Sequence, residues 1–215
     1  MLVVKICGIQ TLDDALAAQN YGADLIGFVF AESRRKIVVS AAASIAASLR
    51  RIGKVGVFLN QSLTEVREIA DHCQLDLIQL HGDESPEYCR NLNRPVIKAF
   101  RLDSNFSPTS FQAYDVPWIL LDSFAPGQAG GTGIAFDWEA GRKRLGQPRQ
   151  KLLVAGGLTS ENVAEAIRIL QPDGVDVSGG VEREGKKNQA EIGRFIAAAH
   201  TADHPESAAR RSSPC

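Results

Sequence analysis

Val3-Val4-Lys5-Ile6-Cys7-Gly8-Ile9-Gln10-Thr11-Leu12-Asp13-Asp14 reads as the start of one βα unit. A short β-branched run ends at a thiol, a glycine breaks it, and Thr11 stands where it can cap a helix that opens with two carboxylates. Runs of the same kind recur at roughly 20 to 30 residue spacing, each followed by an amphipathic stretch. The expected strands are Val3 to Cys7, Leu25 to Phe30, Val55 to Leu59, Leu77 to Leu80, Val96 to Phe100, Trp118 to Leu121, Leu152 to Ala155 and Val175 to Val177. Helix caps are expected at Thr11, at Ser62 with Glu65 behind it, and at Ser160 before Glu161-Asn162. Such a series in a chain of this length predicts an α/β protein, a single (β/α)8 TIM barrel over residues 1–200. A doubly wound open sheet has a similar local pattern but would scatter its strand ends. A barrel gathers Cys7, His81, Asp122, Gly156 and Ser178 around one mouth.

With 215 residues the chain suits one domain with one large core. Twenty-four basic and twenty-five acidic residues leave a net charge of −1, and no basic run tracks a nucleic-acid backbone. No apolar run is long enough to span a membrane, and Met1-Leu2-Val3-Val4-Lys5 lacks the order of a signal peptide. We therefore expect a cytoplasmic protein without nucleic-acid or membrane partners. The four cysteines, 7, 73, 89 and 215, are far apart and lack metal-binding or disulfide spacing. The segment from Thr201 to Cys215 has nothing large and apolar to bury and is expected to be a disordered tail.

Two glycine turns follow the last apolar runs: Ala155-Gly156-Gly157-Leu158, and Asp176-Val177-Ser178-Gly179-Gly180-Val181. Turns of this kind point backbone N–H groups at a phosphate, at the place where barrels hold one. Phosphate is expected on Gly156, Gly157, Ser178, Gly179 and Gly180. The glycine-rich stretch from Ser123 to Phe136 is expected to be a mobile loop over the mouth. Side chains alternate along a strand, so Lys5 should share the inward face with Cys7. Strands one and eight are neighbours in a closed barrel, which predicts a buried Lys5–Asp176 ion pair, because a lone charge there would be too costly. Lys5 is also expected to favour ionisation of Cys7.

In order along the chain, Lys5-Ile6-Cys7-Gly8, Gly27-Phe28-Val29-Phe30 with Ser33-Arg34-Arg35, Gln79-Leu80-His81-Gly82, Leu121-Asp122, Gly130-Gly131-Thr132-Gly133 and the two glycine turns resemble the phosphoribosylanthranilate isomerases of tryptophan biosynthesis. The resemblance covers all but the tail. It implies an Amadori-type rearrangement of an aminoaldose to an aminoketose, with the base at Cys7, the general acid at Asp122 and an arginine at Arg35. Two positions depart from the family pattern. Lys36 stands where an aromatic is frequent, and Gly179 replaces a second serine, removing one hydroxyl donor to phosphate.

The chemistry asks for one acid and one base. Ring opening needs a proton on the furanose oxygen, and a carboxyl after the apolar run Trp118 to Leu121 suits that role. The iminium then acidifies the C2 proton, which a thiolate at Cys7 can remove. A planar donor fork at Arg35 suits the anthranilate carboxylate. His81 can be a proton shuttle or a hydrogen-bonded lining residue, and the lining role is the expectation. No metal or other cofactor is expected. The partner expected is a phosphorylated aminosugar, and the assembly a monomer or homodimer. Two rival readings remain: the two-phosphate sugar isomerase of histidine biosynthesis, whose second phosphate turn has no counterpart after strands three and four, and a non-catalytic sugar-phosphate binder.

Overall fold

In a computed structural model that describes residues 1–101, 107, 109–122, 138–145 and 148–203, eight parallel strands close into a barrel. They are β1 (Val3–Cys7), β2 (Leu25–Val29), β3 (Gly53–Phe58), β4 (Leu77–Leu80), β5 (Val96–Arg101), β6 (Trp118–Asp122), β7 (Lys151–Ala155) and β8 (Gly174–Val177). Each differs from its sequence expectation by two residues or fewer at either end. The helices around the barrel are α1 (Leu12–Tyr21), α2 (Val39–Ser48), α3 (Leu63–His72), α4 (Pro86–Arg90), α5 (Thr109–Gln112), α6 (Trp138–Leu145), α7 (Val163–Leu170) and α8 (Gln189–Asp203).

Period-two alternation sorts the apolar residues into two layers. Val55, Ile97, Ala99, Leu120, Leu153 and Ala155 fill the barrel interior. Val4, Ile6, Ile26, Phe28, Ile78, Ile119, Val154 and Val175 face outward and pack with the helices. On β1, therefore, Lys5 and Cys7 point inward while their neighbours bind the helical coat. The barrel closes with Lys5 in register with Asp176, and Lys5 Nζ donates to Asp176 Oδ1 at 2.9 Å. This is the pair that alternation and closure predict.

The face opposite the site carries a repeated device. Asp24, Asp76 and Asp173 each stand just before a strand and accept from the backbone N–H of the preceding one, at Val4, Lys54 and Leu152, all at 2.8 Å. A charged acceptor on an otherwise open strand start fixes the stagger of neighbouring strands.

Thr11 and Ser62 cap their helices as expected, accepting from Asp14 N and Glu65 N. Ser160 does not cap α7, which starts at Val163. Instead Asn162 ties the β7–α7 turn, its amide accepting from Thr159 N at 2.8 Å and donating to the Gly157 carbonyl at 2.9 Å. Ser160 Oγ donates instead to Glu161 Oε1 at 2.9 Å. The second glycine turn does not lead straight into a helix either. A 3₁₀ turn at Gly179–Val181 is followed by a hairpin of β9 (Glu182–Arg183) and β10 (Lys186–Lys187) before α8 begins. Helix α8 extends through Thr201 to Asp203, whose carboxylate accepts from Leu2 N at 2.9 Å, so the first three residues of the expected tail are helical. The rest of that tail, with Cys215, and the glycine-rich loop of residues 123–136 lie outside the described residues.

Candidate active site

The strand ends and the turns that follow them at the C-terminal mouth carry Cys7, His81, Asp122 and the two glycine turns, and Arg35 follows β2 by six residues. Cys7 sits at the end of β1, 7% exposed, directly above the Lys5–Asp176 pair. Its neighbour in register on β2 is Gly27, where a Cβ would lie 2.8 Å from Cys7 Sγ and 3.2 Å from Lys5 Nζ. The missing side chain is the space the thiol occupies. Burial pushes the Cys7 thiol up from its ordinary value; Lys5 pulls it down, but burial and the Asp176 carboxylate outweigh that pull. Lys5 does favour ionisation of Cys7, yet the resting group remains a thiol. Lys5 itself is held above its usual value, because Asp176 and Cys7 more than offset its burial.

Across the barrel, Asp122 ends β6 over the buried Ile119, Leu120 and Leu121. It does not stand alone. His81 Nε2 lies 3.3 Å from Asp122 Oδ2, and Gln79 Nε2 lies 3.2 Å from His81 Nδ1. His81 thus lines the mouth and also contacts the proposed acid. Asp122 and His81 are about equally accessible, at 26% and 25% of their side-chain surfaces.

Arg35 is near the thiol but its fork is already engaged. A Cβ on Gly8 would meet Arg35 Cδ at 2.7 Å and Ser178 Oγ at 3.1 Å, which places all three residues together over β1. Arg35 Nε and NH2 donate to the two oxygens of Glu182 at 2.6 and 3.0 Å. Arg34 donates to the same carboxylate at 2.7 Å and Lys187 at 2.9 Å. Burial would raise Glu182, but the bonds from Arg35 and Lys187 hold it below the ordinary carboxylate range. Lys187 is held below its usual value by burial, which Glu182 only partly offsets.

Glu182, Lys187 and Gln79 were not singled out from the sequence. Glu182 directly follows the second glycine turn, and Gln79 opens Gln79-Leu80-His81-Gly82. Glu182 meets Arg35 from a distant segment and Lys187 across a turn, which no local pattern reveals; period-two alternation does put Gln79 on the face of His81. Because Glu182 braces Arg35 together with Arg34 and Lys187, Glu182→Gln should release the fork and raise KM several-fold with kcat little changed, as steady-state kinetics would register. The same cluster stabilises the fold above the ordinary glutamate pKa, and that contribution disappears as pH falls through the lowered value in the folded state.

The glycine turns after β7 and β8 touch. A Cβ on Gly180 would overlap the Leu158 carbonyl and approach Thr159 Cα at 3.2 Å. Gly156 and Gly157 both take positive φ, 90° and 62°. The Ser178 hydroxyl is already committed, donating to the Cys7 carbonyl at 3.1 Å while Lys187 donates to it at 3.3 Å. Binding of phosphate in this corner would therefore rest on backbone N–H groups more than on Ser178 Oγ.

A parallel eight-stranded barrel with a thiol, a carboxyl–imidazole pair and adjoining glycine turns at one mouth belongs to the class of TIM-barrel enzymes. The family model for N-(5'-phosphoribosyl)anthranilate (PRA) isomerase matches residues 4–198, and the chain belongs to that family. It is 45% identical over 219 residues to the N-(5'-phosphoribosyl)anthranilate isomerase of Moorella thermoacetica, covering 100% of this chain and 97% of the relative. The crystal structure of phosphoribosyl anthranilate isomerase from Thermotoga maritima superposes with a TM-score of 0.82 at 39% identity, over 93% of this chain and 99% of that one. A crystal structure of such an isomerase with reduced 1-(o-carboxyphenylamino)-1-deoxyribulose 5-phosphate superposes with a TM-score of 0.78 at 37% identity, over 93% and 99% of the two chains.

Proposed function

We propose that this chain isomerises N-(5'-phosphoribosyl)anthranilate to 1-(2-carboxyphenylamino)-1-deoxyribulose 5-phosphate, in tryptophan biosynthesis, with Asp122 as acid and Cys7 as base. Asp122 delivers its proton to the furanose oxygen as the C1–O bond breaks, and the anilino nitrogen's lone pair forms the iminium. Cys7, as thiolate, then takes the C2 proton, and the C2–H electrons flow into the C1–C2 bond, neutralising the iminium; the resulting enol-amine gains a proton at C1 and loses its C2 hydroxyl proton to give the aminoketose. The observation that carries this reading is that the two groups end β1 and β6 at the same mouth of the barrel, which also holds the paired glycine turns after β7 and β8. Phosphate on Gly156, Gly157, Ser178, Gly179 and Gly180 fixes one end of the substrate. Arg35, braced by Glu182, faces the anthranilate carboxylate at the other.

The enzyme works without a cofactor, as monomer or homodimer, in the cytoplasm. No helix among the described residues is long and apolar enough to cross a membrane, which agrees with that location. The assay is the loss of anthranilate-type fluorescence as freshly generated substrate is consumed. Asp122→Asn keeps the hydrogen-bonding shape but cannot give up a proton in this way, and should cost ~10²-fold or more in kcat. Wild-type rates in that variant would remove Asp122 from the mechanism.

A further inference from the structure

Gln79 is the buried polar residue beneath the carboxyl–imidazole pair. It is 1% exposed, points inward from β4, and lies two residues before His81 on the same face. Its side-chain nitrogen meets His81 Nδ1 at 3.2 Å, and among the described residues its carbonyl Oε1 is buried with no hydrogen-bond partner. An amide has one donating and one accepting end, so which end faces the ring determines which ring nitrogen carries the hydrogen.

With the nitrogen toward the ring, Nδ1 must accept. Nε2 then carries the hydrogen and donates it to Asp122, which is met as a carboxylate. Rotating the amide by half a turn brings Oε1 beside Nδ1, which must then be the protonated nitrogen. Nε2 becomes an acceptor, and Asp122 can bond to it only by holding a proton itself. The first arrangement leaves Oε1 unpaired and the second pairs it, so neither end of the amide is satisfied in both. The two arrangements match the two states an acid passes through in one turnover, before and after it gives up its proton.

We propose that Gln79 is a positioning residue of the reaction, its amide selecting the tautomer of His81 and thereby whether Asp122 is held as proton donor or as acceptor. This rests on Asp122 being the acid. Gln79 touches neither substrate nor reacting atoms in this scheme; it acts through the imidazole.

The test compares full-length wild type with Gln79→Met, a change of similar volume that has no amide. Both are labelled with ¹⁵N at histidine and studied in mildly alkaline buffer where imidazole is neutral, with His81→Asn to assign the signals. We expect the wild-type His81 nitrogens to show one fixed tautomer, and the variant to show an averaged pair with kcat reduced ~10-fold or more at nearly unchanged KM. Reduced kcat with His81 shifts identical to wild type would make Gln79 a merely structural residue and overturn the proposal. Altered shifts with wild-type kcat would sever the link to Asp122 and overturn it equally. If Gln79→Met fails to fold, the wild-type spectrum decides alone: one tautomer supports the proposal and an averaged ring overturns it. The Asp122→Asn assay fails separately, since a full rate there condemns the acid assignment whatever the ¹⁵N shifts show.

Discussion

Cys7→Ala should lower kcat by a factor of ~10²–10⁴ while leaving KM close to wild type, because the thiol is asked only for a proton transfer and not for ground-state binding. Three features of the fold bear on the size of that loss. Cys7 ends β1 on the inward face, Gly27 leaves room for its sulfur, and Lys5 beneath it opposes the effect of burial. The direction of the thiol's shift adds a second expectation. Burial outweighs Lys5, so the base is mostly protonated at neutral pH, and over a range in which Asp122 keeps its proton the wild-type rate should climb as pH rises toward the thiol's raised value. Cys7→Ser should not restore it, because an alkoxide is much harder to form than a thiolate. A pH series of kcat/KM on wild type and the rate of Cys7→Ser, both read by loss of substrate fluorescence, check these points. A Cys7→Ala variant within a few-fold of wild type would remove Cys7 as the base.

Lys5→Met should destabilise the barrel by about 3–5 kcal/mol, the usual cost of removing one partner from a buried pair. Lys5 is 0% exposed and Asp176 7%, so Asp176 would be left as a charge with nothing to neutralise it inside the barrel. Set against a total stability of about 5–15 kcal/mol for an ordinary domain, that is a large fraction. Replacing both residues, as Lys5→Met with Asp176→Leu, should recover most of the loss, because a packed apolar pair does not incur the desolvation cost of two ions. Denaturant midpoints of the wild type, the two single variants and the double variant complete the cycle. A Lys5→Met midpoint equal to wild type would mean the pair carries no charge in the native state. Lys5 is held above its ordinary value, so its contribution is intact through neutral pH and is lost only as pH rises through that raised value. The double variant also separates stability from tuning. With the fold restored and both ions gone, the thiol should titrate higher still, since the lowering by Lys5 exceeds the raising by Asp176 that is lost with it.

A second buried pair shows how differently the same ions can be used. Lys98, on the outward side of β5, donates to Glu84 at 3.2 Å and to the Gly82 carbonyl at 2.7 Å. Glu84 in turn accepts from Asn60 N at 2.8 Å and Gly82 N at 3.0 Å. These bonds knit the loops after β3 and β4 at the rim of a mouth cavity of about 590 Å³ that His81, Lys98 and Tyr114 help to line. Alternation along β5 puts Lys98 opposite Ile97 and Ala99, but nothing local to the sequence names Glu84 as its partner.

Much of this protein is decided by its sequence alone. Period-two alternation and the recurrence of βα units determine eight strands, their inward faces and the closed barrel, because burying one face of each strand leaves few other arrangements. The same logic pairs Lys5 with Asp176, since closure sets those two residues side by side and burial requires them to neutralise each other. Tertiary structure alone decides what lies across turns and between distant segments. Glu182 takes the fork of Arg35, Ser178 spends its hydroxyl on the Cys7 carbonyl, Asn162 replaces Ser160 at the β7–α7 turn, and Asp122 at the end of β6 meets His81 after β4. Each is a choice among several possible polar partners. Periodicity fixes which way a side chain points, whereas its hydrogen-bond partner depends on loop paths that only the packed barrel determines.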